Sequence, residues 1–369
     1  MSVLFSPFSI GPLTLGNRIV VPPMCQYSAR DGQATDWHLI HLGNLALSGA
    51  GLLIVEATAV SPEGRISWAD LGLWDDATEA ALTRTLASVR AWSSTPVFLQ
   101  LAHAGRKAST ARPWDGGKTI PADQPGGWTP LAPSALPYDP ADAPPLALDR
   151  AGLKRLRQAF ADAARRAGRI GFSGVEMHAA HGYLLHEFLS PLSNRREDEY
   201  GGSLENRLRF PLEVFAAMRA ALPENLPLGL RISASDWVEG GWDVEQSVEL
   251  VRRAGELGAA YVHVSSGGLS PEQKIPVGPG YQVAFAERIR REAGLPTIAV
   301  GLITEPGQAE EIVASGQADA VAIGRGMLYD PRWPWHAAAA LDCRVGPPPQ
   351  YLRCQPHGLK HLFEEPRQG

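Results

Sequence analysis

The chain has 369 residues, 44% hydrophobic and 20% charged, with a formal net charge of −5. That balance fits a globular protein with a sizeable core and gives no basic surface, so neither nucleic acid nor an anionic membrane is expected as a partner. Three cysteines, Cys25, Cys343 and Cys354, form no CxxC pair, which argues against a disulfide framework, an iron–sulfur cluster or a cysteine-rich zinc site. No run reaches the ~20 apolar residues of a membrane span. Met1 to Pro12 lacks the basic start and apolar core of a signal peptide, so the expected location is cytoplasmic.

Phe8 to Leu15 reads as a hairpin turning at Ile10-Gly11-Pro12, placed to plug one end of a barrel. Ile19 to Val21 is the first apolar strand, ended by Pro22-Pro23 and followed by a loop carrying a thiol, Cys25, and a phenol, Tyr27. Asp36 is the expected N-cap of a helix reaching Ser48, and Leu52 to Ala57 is the second buried strand. A helix from Asp75-Asp76 to Trp92 precedes the third strand, Pro96 to Leu101. Trp114 to Pro145, dense in Pro and Gly, breaks the rhythm and reads as a long loop. A helix from Asp149 to Gly168 leads to the fourth strand, Phe172 to Met177. Strands Pro227–Ile232, Ala260–Val264, Thr297–Val300 and Ala318–Ile323 follow, interleaved with helices Leu204–Ala221, Val244–Leu257, Gln282–Ala293 and Pro306–Ala314. A last helix, Trp333–Leu341, and a Pro-rich tail from Cys343 end the chain. The alternation predicts an α/β protein, a single (β/α)8 TIM barrel domain over 1–369 with an N-terminal hairpin and a C-terminal arm over 344–369. A doubly wound sheet competes, but the GxGxxG fingerprint is absent after the first strand.

In such a barrel, residues just past the C-terminal ends of the strands form the active-site rim. His178, His181 and Tyr183 crowd the end of the fourth strand. Two neutral N–H donors beside an acidic hydroxyl suit a site that grips a carbonyl oxygen and supplies a proton. Metal binding by the same histidines would need a third donor, and HExxH is missing, so no metal is expected. His186 and Glu187 are placed to support the ring orientations, and His103 reads as a packing residue. Gly301, after the seventh strand, and Gly324-Arg325, after the eighth, let backbone N–H groups approach a phosphate, with Arg325 and a short following helix adding positive charge. Ser265 to Gly268 offers hydroxyls and amides to the same ligand. Gln100 can bond an amide-like ring edge, and Arg231 can stabilise negative charge on a reduced flavin. Cys25 reads as a thiol touching that ring or as a small buried hydrophobe.

In chain order, Pro22–Ser28, Val55–Val60, Gln100–Lys107, His178–Pro191, Asn194-Arg195, Glu199–Ser203, Arg231–Ser233 and Ile323–Arg325 resemble the Old Yellow Enzyme family of flavin-dependent ene-reductases, in its thermophilic-like bacterial subclass. The resemblance implies non-covalent FMN contacted by Pro22, Pro23, Met24, Cys25, Ala57, Gln100, Arg231, Gly324 and Arg325, with Gly301 completing the phosphate corner. It implies that His178 and His181 hold a substrate carbonyl or nitro oxygen, that Tyr183 donates the proton, and that Tyr27 and Cys25 border the substrate. The hydride source would be NADPH or NADH, and the substrate a small α,β-unsaturated carbonyl compound or related electron-poor alkene. Pro347 to Arg353 resembles an arm whose arginine enters a neighbouring subunit's site, implying a homodimer or dimer-based tetramer with Arg353 donated in trans. The competing reading of Arg353 is a solvated residue in a frayed tail. The chain departs from the pattern by running past Arg353 to Gly369 and by its Pro/Gly-rich stretch before Pro145. Other readings are a flavin-dependent RNA uridine reductase, which would want a basic surface, and a flavin-free phosphate-ligand lyase or binding barrel.

Overall fold

The computed structural model describes residues 2–364. Strands β1 (Phe8–Ile10) and β2 (Leu13–Leu15) pair antiparallel as the expected hairpin. Then come β3 (Ile19–Val21), α1 (Asp36–Ala46), β4 (Leu52–Ala59), α2 (Asp76–Arg90) and β5 (Val97–Ala102). After a long excursion containing β6 (Leu131–Ala132) and β7 (Leu146–Ala147) follow α3 (Arg150–Ile170), β8 (Gly174–Ala179), α4 (Leu184–Leu189) and α5 (Leu204–Ala221). The remainder is β9 (Leu228–Ser233), α6 (Val244–Glu256), β10 (Val262–Ser265), α7 (Val283–Ala293), β11 (Thr297–Val300), α8 (Pro306–Ala314), β12 (Ala320–Ala322), α9 (Arg325–Tyr329) and α10 (Trp333–Ala340). Strands β3, β4, β5, β8, β9, β10, β11 and β12 close into one parallel barrel, so the (β/α)8 expectation holds strand for strand.

The barrel strands are short apolar runs covered on both faces, as parallel strands require. Their outward side chains meet the helices in the main core. On α3, Leu153, Leu156, Phe160, Ala163, Ala164 and Ala167 form the buried stripe while Arg and Gln face out. Asp149 caps its first turn by accepting the Gly152 N–H at 2.7 Å, and Gly171 ends it in a left-handed conformation. For α1 the N-cap is Thr35 rather than Asp36: Thr35 is extended, and its N–H donates to His38 Nδ1 at 3.0 Å. The other end of the barrel is stoppered by the hairpin. Phe8, Ile10 and Leu15 pack with Val20, Leu52, Phe98, Tyr261 and Ile298.

The excursion expected as a loop carries structure. Leu131 and Ala132 pair in parallel with Leu146 and Ala147, tying its middle to its C-terminal end. Two arginines lie between tryptophan pairs at its base: Arg112 is 4.9 Å from the Trp68 ring and 5.1 Å from Trp114, and Arg65 is 5.5 Å from Trp74 and 5.2 Å from Trp128. The C-terminal arm folds back so that Val345 pairs with Phe363 and both pack with Trp335; positions 365–369 of the expected arm lie outside the described residues. Among the described residues no helix is long and apolar enough to cross a membrane.

Candidate active site

Side chains two apart on a strand share a face, so β8 presents Glu176 and His178 together. Its neighbours are in register: Gln100 of β5 lies opposite Glu176, and Arg231 of β9 lies opposite His178 and next to His263 of β10. The buried Glu176 carboxylate accepts from Gln100 Nε2 at 2.7 Å and from the Tyr261 hydroxyl at 3.1 Å, and lies 3.1 Å from His263 Nδ1. Burial opposes its charge, but His263, Arg231 and Gln100 outweigh it and hold the carboxyl below its usual range. The strand ends therefore carry a buried negative charge just beneath Arg231.

Above that layer the chain makes a tight turn. His181 has φ +60° and Gly182 φ +72°, and a Cβ on Gly182 would stand 2.2 Å from the Gly268 carbonyl. The turn is pinned throughout: the His181 N–H donates to Ser233 Oγ at 2.9 Å, its carbonyl accepts from Lys107 Nζ at 2.8 Å, and the Gly182 N–H donates to His186 Nδ1 at 2.9 Å. His186 Nε2 is 2.9 Å from Asp236 Oδ1. The rings of His178 and His181 lie 5.2 Å apart edge-to-face, and those of His178 and Tyr183 5.0 Å apart.

A backbone hydrogen bond sets the proton position on His178. The Ala180 N–H donates to His178 Nδ1 at 3.2 Å, which puts the proton of the neutral ring on Nε2. Burial, then the nearby Arg231 charge, holds both His178 and His181 well below their ordinary values, so both rings are neutral donors. His181 Nε2 lies 2.9 Å from Ser265 Oγ, leaving Nδ1 for a ligand. Burial pushes the Tyr183 phenol well up, with Cys25 and Tyr27 adding to it, so the hydroxyl keeps its proton. Burial likewise keeps Cys25 a neutral thiol, beside the Ala57 backbone. Its loop is anchored where Gln26 N–H donates to Glu56 Oε2 at 2.8 Å, while Glu56 Oε1 lies 3.3 Å from His38 of α1.

Several expectations change here. His186 supports the Gly182 backbone rather than the histidine rings. Glu187 accepts the Arg106 N–H at 2.8 Å, under the turn after β5, instead of touching either ring. Ser265 to Gly268 does not stand open to a phosphate: Ser265 bonds His181, Ser266 Oγ donates to Gln282 at 2.6 Å, the Gly267 N–H donates to Ser235, and the Gly268 N–H donates to Gln273. His103 is buried and accepts the Gly105 N–H, as a packing residue should. Lys107 was passed over in sequence, although it sits in the Gln100–Lys107 block. Its ammonium ties His181 to Gly268, lies 5.3 Å from the Tyr183 ring centroid, and is depressed to about 8 mainly by burial.

The residues present fit a flavin. The Arg231 guanidinium is buried in the mouth with no hydrogen-bond partner at Nε, an arrangement that asks for an anionic or carbonyl ligand. A register shift in β4 between Val55 and Thr58 places Ala57 at the rim. The ends of β3 and β12 adjoin: a Cβ on Gly324 would lie 3.5 Å from Pro22 and 3.6 Å from Met24, with Pro23 between them in the chain. Gly301, at φ +125°, has Gln282 and Tyr281 where a side chain would go. Arg325 opens α9 beside this corner and is exposed, free to meet a phosphate. Arg353 is exposed on the arm, whose Tyr351 packs against Trp335 and Arg332.

Comparison with known proteins agrees. Residues 3–343 match the model of the NADH:flavin oxidoreductase / NADH oxidase family. An NADPH dehydrogenase of Geobacillus thermodenitrificans is 48% identical over 95% of this chain and 98% of its own length, and one from Bacillus subtilis is 43% identical over the same shares. Among solved structures, a morphinone reductase in complex with tetrahydroNAD superposes with a TM-score of 0.76 at 29% identity, covering 99% of each chain.

Proposed function

The chain belongs to the NADH:flavin oxidoreductase / NADH oxidase family, the Old Yellow Enzyme group, and is an NAD(P)H-dependent flavin oxidoreductase; from that premise we propose that it reduces the activated C=C bond of α,β-unsaturated carbonyl compounds, and related nitro compounds. The observation that carries this reading is the neutral His178, its proton on Nε2, packed 5.0 Å from a Tyr183 ring whose hydroxyl stays protonated.

FMN, when bound, would take hydride from NADPH or NADH and hand it to the alkene β-carbon. Gln100, Ala57 and Arg231 would hold its ring, Pro22 to Cys25 its near side, and Gly301, Gly324 and Arg325 its phosphate. His178 Nε2–H would donate to the substrate oxygen, as would His181 Nδ1–H with its Nε2 accepting from the Ser265 hydroxyl, and those bonds strengthen as negative charge gathers there. Tyr183 would give its proton to the α-carbon, with Tyr27 and the Cys25 thiol bordering the substrate. His178→Ala should slow flavin reoxidation by cyclohexenone by ~10²–10³-fold and leave flavin reduction nearly untouched in stopped-flow. Equal loss in both half-reactions sinks the assignment.

The same reading places Arg353 in the site of a second copy of the chain, in a homodimer or dimer-based tetramer. Its exposure and its place on a folded-back arm support this. Arg353→Ala should raise KM for the enone; unchanged KM and unchanged assembly would remove the trans role.

A further inference from the structure

Beside the mouth, between the turn after β5 and the excursion, lies a cleft of about 610 Å³. Tyr27 and Lys107 line it, and the Lys107 ammonium lies 5.3 Å from the centroid of the Tyr183 ring. Arg106, Lys118, Tyr138 and Asp142 are among its walls. The size is that of a ligand site rather than a packing defect.

Its charge is not balanced from within. The cleft is lined by three cations, Arg106, Lys107 and Lys118, against two carboxylates, Asp139 and Asp142. The two inner cations spend their hydrogen bonds on uncharged carbonyls: Arg106 donates to Leu269, Leu136 and Pro137, and Lys107 to His181 and Gly268. Both carboxylates are engaged by local groups, Asp139 by the Ala141 N–H and Asp142 by the Thr119 hydroxyl. Behind the wall Glu187 is pushed up by burial to about 8, so at neutral pH it adds no compensating charge. Two phenol rings, Tyr27 and Tyr138, line the same cleft, and the Lys107 ammonium and the Arg106 guanidinium lie over the Tyr138 ring at 4.8 and 5.8 Å. Cations without a carboxylate partner, set beside phenol rings, suit a phosphate joined to a base.

We propose that this cleft takes the phosphate-bearing half of the reduced nicotinamide dinucleotide, while the nicotinamide end lies in the mouth beside Tyr183. The proposal rests on hydride coming from NAD(P)H and is independent of the alkene acceptor. It makes the excursion, and Lys118 in particular, the part of the chain that grips the donor. The chemistry shared with an acidic substrate is an anionic tail, and the size of the cleft favours the nucleotide over a single carboxylate.

The test uses the FMN-loaded enzyme and two hydride donors. 1-Benzyl-1,4-dihydronicotinamide carries the same reacting ring as NADPH and no phosphate. Lys118→Glu, at an exposed position, should raise the Kd for NADPH in flavin reduction about 10-fold and leave reduction by the benzyl donor unchanged. It should also weaken adenosine 2′,5′-bisphosphate in calorimetry by a similar factor, while Asp142→Asn should tighten it. Equal effects on both donors, or none on NADPH, would overturn the proposal. So would a Lys118→Glu enzyme, reduced with dithionite, that has lost only its affinity for a carboxylate-bearing enone, since the cleft would then serve the acceptor. Failure of the unmodified enzyme to turn over cyclohexenone would instead strike the ene-reductase reading and leave this test intact.

Discussion

The turn after β8 and the excursion between β5 and α3 border the same mouth, yet they are held in opposite ways. From Glu176 to Gly182 the chain is buried or nearly so, and short bonds to Gln100, Ser233, Ser265, Lys107 and His186 fix it. The excursion leans on cation–aromatic stacks at its base and leaves Trp114 and Lys118 exposed. Directional bonds in a dry setting hold atoms where charge develops; stacked, solvated contacts hold a surface that can vary in shape at little cost. On the proposed reading, the chemistry belongs to the first region and the choice of ligand to the second.

The sharpest way to break this division is Tyr183→Phe. It should slow reoxidation by cyclohexenone by ~10²–10⁴-fold with flavin reduction intact; a comparable loss in flavin reduction would show that the turn does more than deliver a proton. Next in size is Gly182→Ala. The left-handed backbone and the Gly268 carbonyl in the way should cost about 2–4 kcal/mol of stability, seen as a lower Tm.

A third change probes the joint between the two regions. Unfolded Glu187 ionises near 4.5, whereas the folded chain keeps its proton up to about 8. Across that window the folded state binds more protons, so this group's contribution to stability falls as pH rises from ~4.5 to ~8. Glu187→Gln should flatten that fall, read as denaturant midpoints at the two ends of the window; an unchanged slope would show the carboxyl to be ionised in the fold. The smallest effect is expected from Arg112→Ala, which removes two exposed cation–aromatic contacts worth about 0.5–1 kcal/mol each. Proteolysis of the excursion should quicken while cyclohexenone reoxidation stays the same. If reoxidation changes as well, the two regions are not separable.

The barrel was legible because each strand is a short apolar run between helical repeats, and burial on both faces writes that pattern directly. His178, His181 and Tyr183 were legible because polar rings at a strand end have few structural uses. What lay hidden were their holders. Lys107, Ser265, Ser233 and Asp236 come from four other loops or strands, and nothing in linear spacing brings them to the histidine turn. One signal was there to be read: Glu176 is a lone carboxylate inside an apolar strand, and such a residue needs partners close by. The N-cap of α1 slipped by one residue because Thr35 and Asp36 are both good caps, and the ring nitrogen of His38 decided between them.

The hairpin at the far end of the barrel has a consequence for traffic. With Phe8, Ile10 and Leu15 filling that end, the described residues close the barrel there and leave the ring of strand ends open on the opposite side. On the proposed function, hydride donor and alkene would queue at one doorway, each leaving before the other enters. Steady-state data should therefore give parallel double-reciprocal lines, and either visitor in excess should block the other.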